Sequence, residues 1–178
     1  MVEEAKLVRT ENGLVPEGPG WFVLNARDAV WGEAERFGRW VRFEGEPRFE
    51  HLGLNIHVLE PGQPACHYHR ESLQEGFLVL SGRCKVLIEE QERELGPWDY
   101  VHCPPGTNHV FVGGDEGPCA ILMVGARQAE GATITYPVSA LARAHGAGVA
   151  TETDDPRVSY ANTGERRLIP APSDWPLA

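Results

Sequence analysis

The chain has 178 residues, 42% hydrophobic and 24% charged, values that fit one folded domain with extensions and a single substantial core. Twenty-six acidic against sixteen basic residues give a formal charge of −10, a field that repels phosphate backbones and anionic lipid and so argues against nucleic acid or membrane as a partner. The opening MVEEAKLVRTENGLVPEG lacks a basic segment followed by an apolar one, and no run approaches the ~20 apolar residues that span a bilayer, so a cytoplasmic protein is expected.

In chain order, WFVLNARDAVWGEAERFG suggests one short helical turn capped by Asn25 or Asp28. The middle of the chain is different. RWVRFEG, FEHLGLNIHVLEPG, EGFLVLSG, CKVLIEE, DYVHCPPG, HVFVGG and CAILMVG are short apolar or alternating runs bounded by Gly, Pro, Asp or Asn, the pattern of strands in an all-β sandwich or barrel. After them, PVSALARAHGAG offers Ser139 as a helix N-cap and Gly146 as a stop. DDPRVSYAN offers Asp155 as a cap with Pro156 at the first helical position. The closing RRLIPAPSDWPLA is too proline-rich for a regular element and reads as an extended strap or tail. The expected division is an N-terminal extension over 1–48 packing on a barrel, the β-barrel over 49–126, and a C-terminal extension with short helices and a tail over 127–178. Apolar residues on both faces of FLVLSG and AILMVG suggest a homodimer.

Chemistry concentrates in two stretches. In CHYHRESLQEGFLVLSG, strand alternation places His67 and His69 on one face, with Cys66 and Tyr68 opposite. Glu75, Phe77 and Val79 share a face of the following strand. A carboxylate there is either exposed at the strand's start or held by a partner, because burying it alone is costly. Glu71 is a rival carboxylate, but it lies in the turn. In WDYVHCPPGTNHVFVGG, the rigid turn Pro104-Pro105-Gly106 leads to His109, which faces with Phe111. His51, His57, His102 and His145 fall outside both stretches; His57 and His102 lie on expected strands and could line a cavity, but a structural role is expected of each. Cys66, Cys84, Cys103 and Cys119 form no C-x-x-C pair, which excludes a zinc ribbon or a dithiol redox motif and leaves them as small buried residues. A reactive thiol at Cys66 beside His67 is the weaker reading, since strand neighbours point to opposite faces.

These two stretches resemble the two motifs of the cupin superfamily, G-x5-H-x-H-x(3,4)-E-x6-G and G-x5-P-x-G-x2-H-x3-N. Here they stand as Gly62-x4-His67-x-His69-x5-Glu75-x6-Gly82 and Pro104-x-Gly106-x2-His109, close together as in small single-domain bacterial cupins. The histidine-to-glutamate spacing is one residue longer, Trp98 stands at the second motif's first glycine, and Gly113 stands at its asparagine. None of these removes a ligand. The resemblance implies a double-stranded β-helix, or jelly-roll barrel, with His67, His69, Glu75 and His109 binding one divalent transition metal: Fe, Mn, Ni, Cu or Zn. Phe77, Val79 and Phe111 would line a partly dry pocket for a small organic ligand. A metal-dependent oxidoreductase of dioxygenase type is the expected activity. A cupin isomerase or decarboxylase, or a cupin that binds a small molecule without turning it over, is the alternative. No catalytic acid or base can be assigned from the residues alone.

Overall fold

The computed structural model describes residues 1–127 and 131–174. The expected apolar runs all form strands. In chain order the elements are β1 (Lys6–Thr10), β2 (Gly13–Glu17), β3 (Trp31–Ala34), β4 (Gly38–Arg42), β5 (Leu52–Leu59), β6 (Arg70–Glu71), β7 (Glu75–Ser81), β8 (Cys84–Ile88), β9 (Gln91–Leu95), β10 (Tyr100–Cys103), β11 (His109–Gly113), β12 (Cys119–Ala126), β13 (Ile134–Thr135), α1 (Ala140–Ala144), α2 (Pro156–Ser159) and β14 (Arg166–Ile169). A seven-stranded antiparallel sheet has the order β10-β7-β12-β5-β4-β3-β14, and a three-stranded sheet has the order β11-β8-β9. The large sheet therefore continues beyond the segment 49–126 into strands from both sides of it.

Register decides which side chains meet. Across the large sheet Trp40 lies opposite His57, Arg42 opposite Asn55, His57 opposite Ile121, Asn55 opposite Met123, and Met123 and Ile121 opposite Phe77 and Val79. These residues share one sheet face, since successive side chains alternate. That face is turned to the small sheet: Phe77, Val79 and Ile121 are buried in one cluster with Cys84, Val86 and Phe111. The fold is the all-β double-stranded β-helix, with the interior filled at this end by apolar side chains. The outer face of the large sheet buries Val41, Ile56, Val58 and Ala120, and Leu24, Trp31, Leu80, Leu122 and Ile169 pack there too. The apolar second face of FLVLSG and AILMVG is thus covered in part by the chain's own extensions. The outer face of the small sheet buries Leu87, Val110 and Val112 against Tyr68, Ala142 and Ala147.

Both C-terminal helices start where their caps predict. The Ser139 side chain accepts from the Ala142 N–H and the Asp155 side chain from the Arg157 N–H, with Pro156 opening α2. Gly146 takes a φ of 70° just after α1, the left-handed turn that glycine supplies cheaply. The N-terminal segment forms the single turn expected at Asn25, whose side chain accepts from the Arg27 N–H and whose carbonyl accepts from the Asp28 and Ala29 N–H, and it goes no further because the following WGEA is drawn into the sheet as β3. One expectation is corrected. Pairing wins over proline content in the tail as well: Arg166–Ile169 forms β14 against β3, while its last four residues, 175–178, lie outside the described residues. Among the described residues no helix is long and apolar enough to cross a membrane.

Candidate metal centre

Three of the expected ligands converge. The ligand atoms of His69, Glu75 and His109 all lie within 4.8 Å of one another. Glu75 opens β7 opposite Cys103 of β10, and His109 opens β11 after the Pro104–Thr107 turn. His69 and His109 face each other across an isolated antiparallel bridge, each N–H donating to the other's carbonyl at 3.1 and 2.8 Å. Their rings lie 4.8 Å apart, and His109 Nε2 is 3.4 Å from Glu75 Oε2.

The backbone selects the nitrogen that each imidazole offers. His69 Nδ1 is 2.8 Å from the His67 carbonyl and His109 Nδ1 is 3.0 Å from the Thr107 carbonyl. A carbonyl only accepts, so each Nδ1 carries the proton and each Nε2 keeps its lone pair. Burial and the neighbouring His109 push the His69 imidazole down to about 3, and burial lowers His109 as well; both rings are neutral, as a ligand must be. Burial, followed by the charge of Glu71, pushes the Glu75 carboxyl up to about 8. A buried carboxyl facing two neutral imidazole lone pairs is a donor set that a divalent metal fits.

His67, placed in the ligand set by the resemblance, is not brought to this cluster. Pro64 bridges Val112 while His69 bridges His109, so five steps of one strand span three of the other. The two extra residues break the alternation on which the pairing of His67 with His69 rests. His67 turns toward Phe37 and Tyr160, with ring centroids at 5.0 and 4.9 Å, and its Nδ1 lies 3.2 Å from the Ala147 carbonyl. Its Nε2 is buried without a hydrogen-bond partner. Cys66 instead comes to the His69 side, its sulfur 3.6 Å from His69 Nδ1. Burial and the charges of Glu75 and Glu71 hold its thiol protonated, far above the usual range, which removes the thiolate that reactivity requires.

Phe77 and Phe111 sit beneath the cluster in the core, Phe77 at 5.0 Å from the His109 ring and 4.6 Å from Phe111, and Val79 is buried beside them. The cavity itself, about 370 Å3, adjoins the cluster through His69 and is walled by other residues, among them Trp40, His57, Cys66, Glu71, Tyr136 and Tyr160. Its size is that of small-molecule sites. His57 therefore lines it, whereas His102 is exposed on β10.

Residues 55–125 match the cupin domain family. The chain carries a cupin domain. No curated protein matches the chain by sequence. Among solved structures it is similar to a sugar phosphate isomerase of the cupin superfamily from Silicibacter pomeroyi, at 20% identity over 85% of each chain with a TM-score of 0.50. It is also similar to the polyketide cyclase RemF from Streptomyces resistomycificus, at 18% identity over 63% of this chain and 83% of that one, TM-score 0.54. A third similarity is to the DMSP lyase DddQ from Ruegeria pomeroyi, at 25% identity and TM-score 0.46, covering 56% of this chain and 52% of the lyase, about half its length.

The motifs of this cupin identify the cluster but not the cavity wall. Tyr136 and Tyr160 come from the C-terminal extension, where no motif marks them. Trp40 comes from β4, and its indole lies over Gly32, where an added Cβ would collide with the ring. The one legible signal for this wall was the alternation of β5, which puts Asn55 and His57 on a common face.

Proposed function

We propose that this cupin is a metal-dependent enzyme acting on a small organic molecule, with oxidation of dioxygenase type as its chemistry. The observation that carries the reading is the donor set: two imidazoles with free Nε2 atoms and one buried carboxyl within 4.8 Å, beside a cavity of substrate size. Two histidines and one carboxylate leave several coordination positions open, the arrangement typical of non-haem Fe(II) oxygenases. A bound metal would supply Lewis acidity and, if iron, redox chemistry. The protein's own part is to orient the substrate on the Trp40 and Tyr160 rings, to keep water away through the buried Phe77–Phe111 floor, and to present protonated groups. Burial holds the Tyr136 phenol up to about 12 and raises the Glu71 carboxyl.

Glu71 favours a second reading. A cavity carboxyl raised by burial is suited to carry a proton, the need of an isomerase or lyase, and a sugar phosphate isomerase is among the similar folds. Elemental analysis of protein purified without an affinity tag, followed by oxygen uptake by the Fe(II)-loaded form over a panel of small organic acids and sugars, separates the cases. About one metal per chain with substrate-dependent uptake supports the first reading. Metal without uptake, but with turnover of a candidate, supports the second. No metal after reconstitution with Fe, Mn, Ni, Cu and Zn overturns both.

A further inference from the structure

The cavity's wall is chemically lopsided. On the inner face of the large sheet, Arg42 of β4 lies opposite Asn55 of β5, and Arg166 of β14 lies opposite Ala34 of β3. Both arginines line the cavity and both are exposed at its mouth. Neither makes an ion pair or a hydrogen bond with another side chain among the described residues. Glu44, close enough in charge to act on Arg42, has both carboxylate oxygens taken by Arg127 at 2.6 Å. Arg166 is held by rings alone, its guanidinium carbon 4.8 Å from the Tyr160 centroid and 5.9 Å from that of Trp40, which fixes the fork without using its N–H donors. Two buried polar atoms beside them also lack partners, His57 Nδ1 and Asn55 Oδ1. Buried polar groups are nearly always satisfied, so orphans grouped on one wall point to a ligand that completes them.

This distribution runs against the chain's own charge. With a formal charge of −10, the molecule repels anions at long range, yet here two guanidinium groups stand uncompensated over a concave site. We infer that the Arg42–Arg166 end of the cavity binds an oxyanion group, carboxylate or phosphate, of a small polar substrate whose remaining portion extends toward His69. Arginine's planar fork matches either oxyanion with paired N–H donors. Asn55 Oδ1 would accept from a hydroxyl beside the anionic group, so a hydroxylated acid or a sugar phosphate fits better than a simple hydrocarbon acid. The inference specifies the substrate class for the proposed function and rests on that reading's assignment of this cavity to substrate.

Isothermal titration of the full chain with malonate and with inorganic phosphate tests it, run on metal-stripped and metal-loaded protein in parallel. Binding of at least one anion to both forms is expected, weakening as salt rises. Arg42→Gln and Arg166→Gln are each expected to weaken it ten-fold or more without changing metal content. Malonate binding alone assigns a carboxylate and phosphate binding alone a phosphate ester. Arg166→Lys guards against a folding defect in Arg166→Gln: a folded Lys variant keeps the charge but loses the fork and should bind several-fold more weakly. Absence of binding to both forms at millimolar anion, or affinity unchanged in both Gln variants, overturns the inference. Because the stripped form is measured by itself, failure of the metal assignment leaves this result standing, and failure here leaves the metal analysis standing.

Discussion

At the residue scale, two backbone carbonyls decide how the imidazoles of the cluster can act. The His67 and Thr107 oxygens take the Nδ1 protons of His69 and His109, so each ring is locked in the tautomer that points a lone pair at Glu75's neighbourhood. Such outer hydrogen bonds orient a ligand and raise its basicity. His67 contributes its carbonyl to this arrangement, while its ring is turned to Phe37 and Tyr160. The consequence is a contrast between two histidines that the cupin motif treats alike. His109→Ala should lose metal affinity by more than the ~10–100-fold typical of removing an outer partner, whereas His67→Ala should keep metal to within about ten-fold, since its backbone carbonyl remains. Metal content and chelator competition measured on the two variants check this; equal losses would return His67 to the ligand set.

At the element scale, strands were legible and breaks in their pairing were not. Every apolar run between Gly and Pro became a strand because its alternation matched a face that could be buried, as with Phe77 and Val79 against Ile121. His69, Glu75 and His109 were legible through motif spacing. His67 was misplaced for the opposite reason: the two extra residues between Pro64 and His69 leave no mark in composition, and they put residues 65–68 into a bent stretch outside any strand, where period two no longer says which way a side chain points. The walls supplied by Arg42, Tyr136, Tyr160 and Arg166 were hidden because they come from segments far apart in sequence that only sheet order brings together. Trp98 shows a motif's backbone outlasting its residue. It occupies the motif's glycine position with a φ of 75° and donates its N–H to the Val79 carbonyl at 2.8 Å, while the residue is 75% exposed. A left-handed non-glycine residue costs about 1–2 kcal/mol and the exposed indole recovers little of it. Trp98→Gly should therefore raise stability by about 1 kcal/mol, read as a higher midpoint in chemical denaturation with unchanged slope. By the same local logic, Ser139→Ala removes the α1 cap from over buried Ala142 and should cost about 1 kcal/mol.

At the scale of the whole molecule, the buried titratable groups of the cavity act together on stability, and their signs can be worked out. Burial, with Arg42 and Arg166 adding to it, pushes His57 down to about 3, and His69 is likewise pushed down to about 3. In the unfolded chain both would titrate near 6.5, so below that value the unfolded state binds protons that the folded state refuses, and stability falls as pH drops from 6.5 toward 3. Glu75 runs the other way. Its folded value of about 8 stands above the ordinary 4.5, so the folded state holds a proton that the unfolded chain has released, and stability falls as pH rises from 4.5 through 8. The metal-free protein is thus squeezed from both sides, and is most stable near pH ~6.5, where the protons taken up by the two imidazoles on unfolding balance the one that Glu75 releases. A divalent cation binds the ionised carboxylate and the neutral imidazoles, so it should reverse the alkaline arm, and its effect should grow as pH rises toward 8. At a free metal concentration ~100 times Kd, linkage gives about 2.7 kcal/mol, or a rise of roughly 5–10 °C in Tm for a chain of this size. Thermal unfolding from pH 4 to 9, with and without added Zn(II), should show a metal-dependent rise that increases across pH 5 to 8 and shrinks strongly in Glu75→Gln, whose neutral amide also removes the alkaline loss in the metal-free protein. A rise in Tm that is independent of pH, or is unchanged in Glu75→Gln, would show that the cation binds elsewhere.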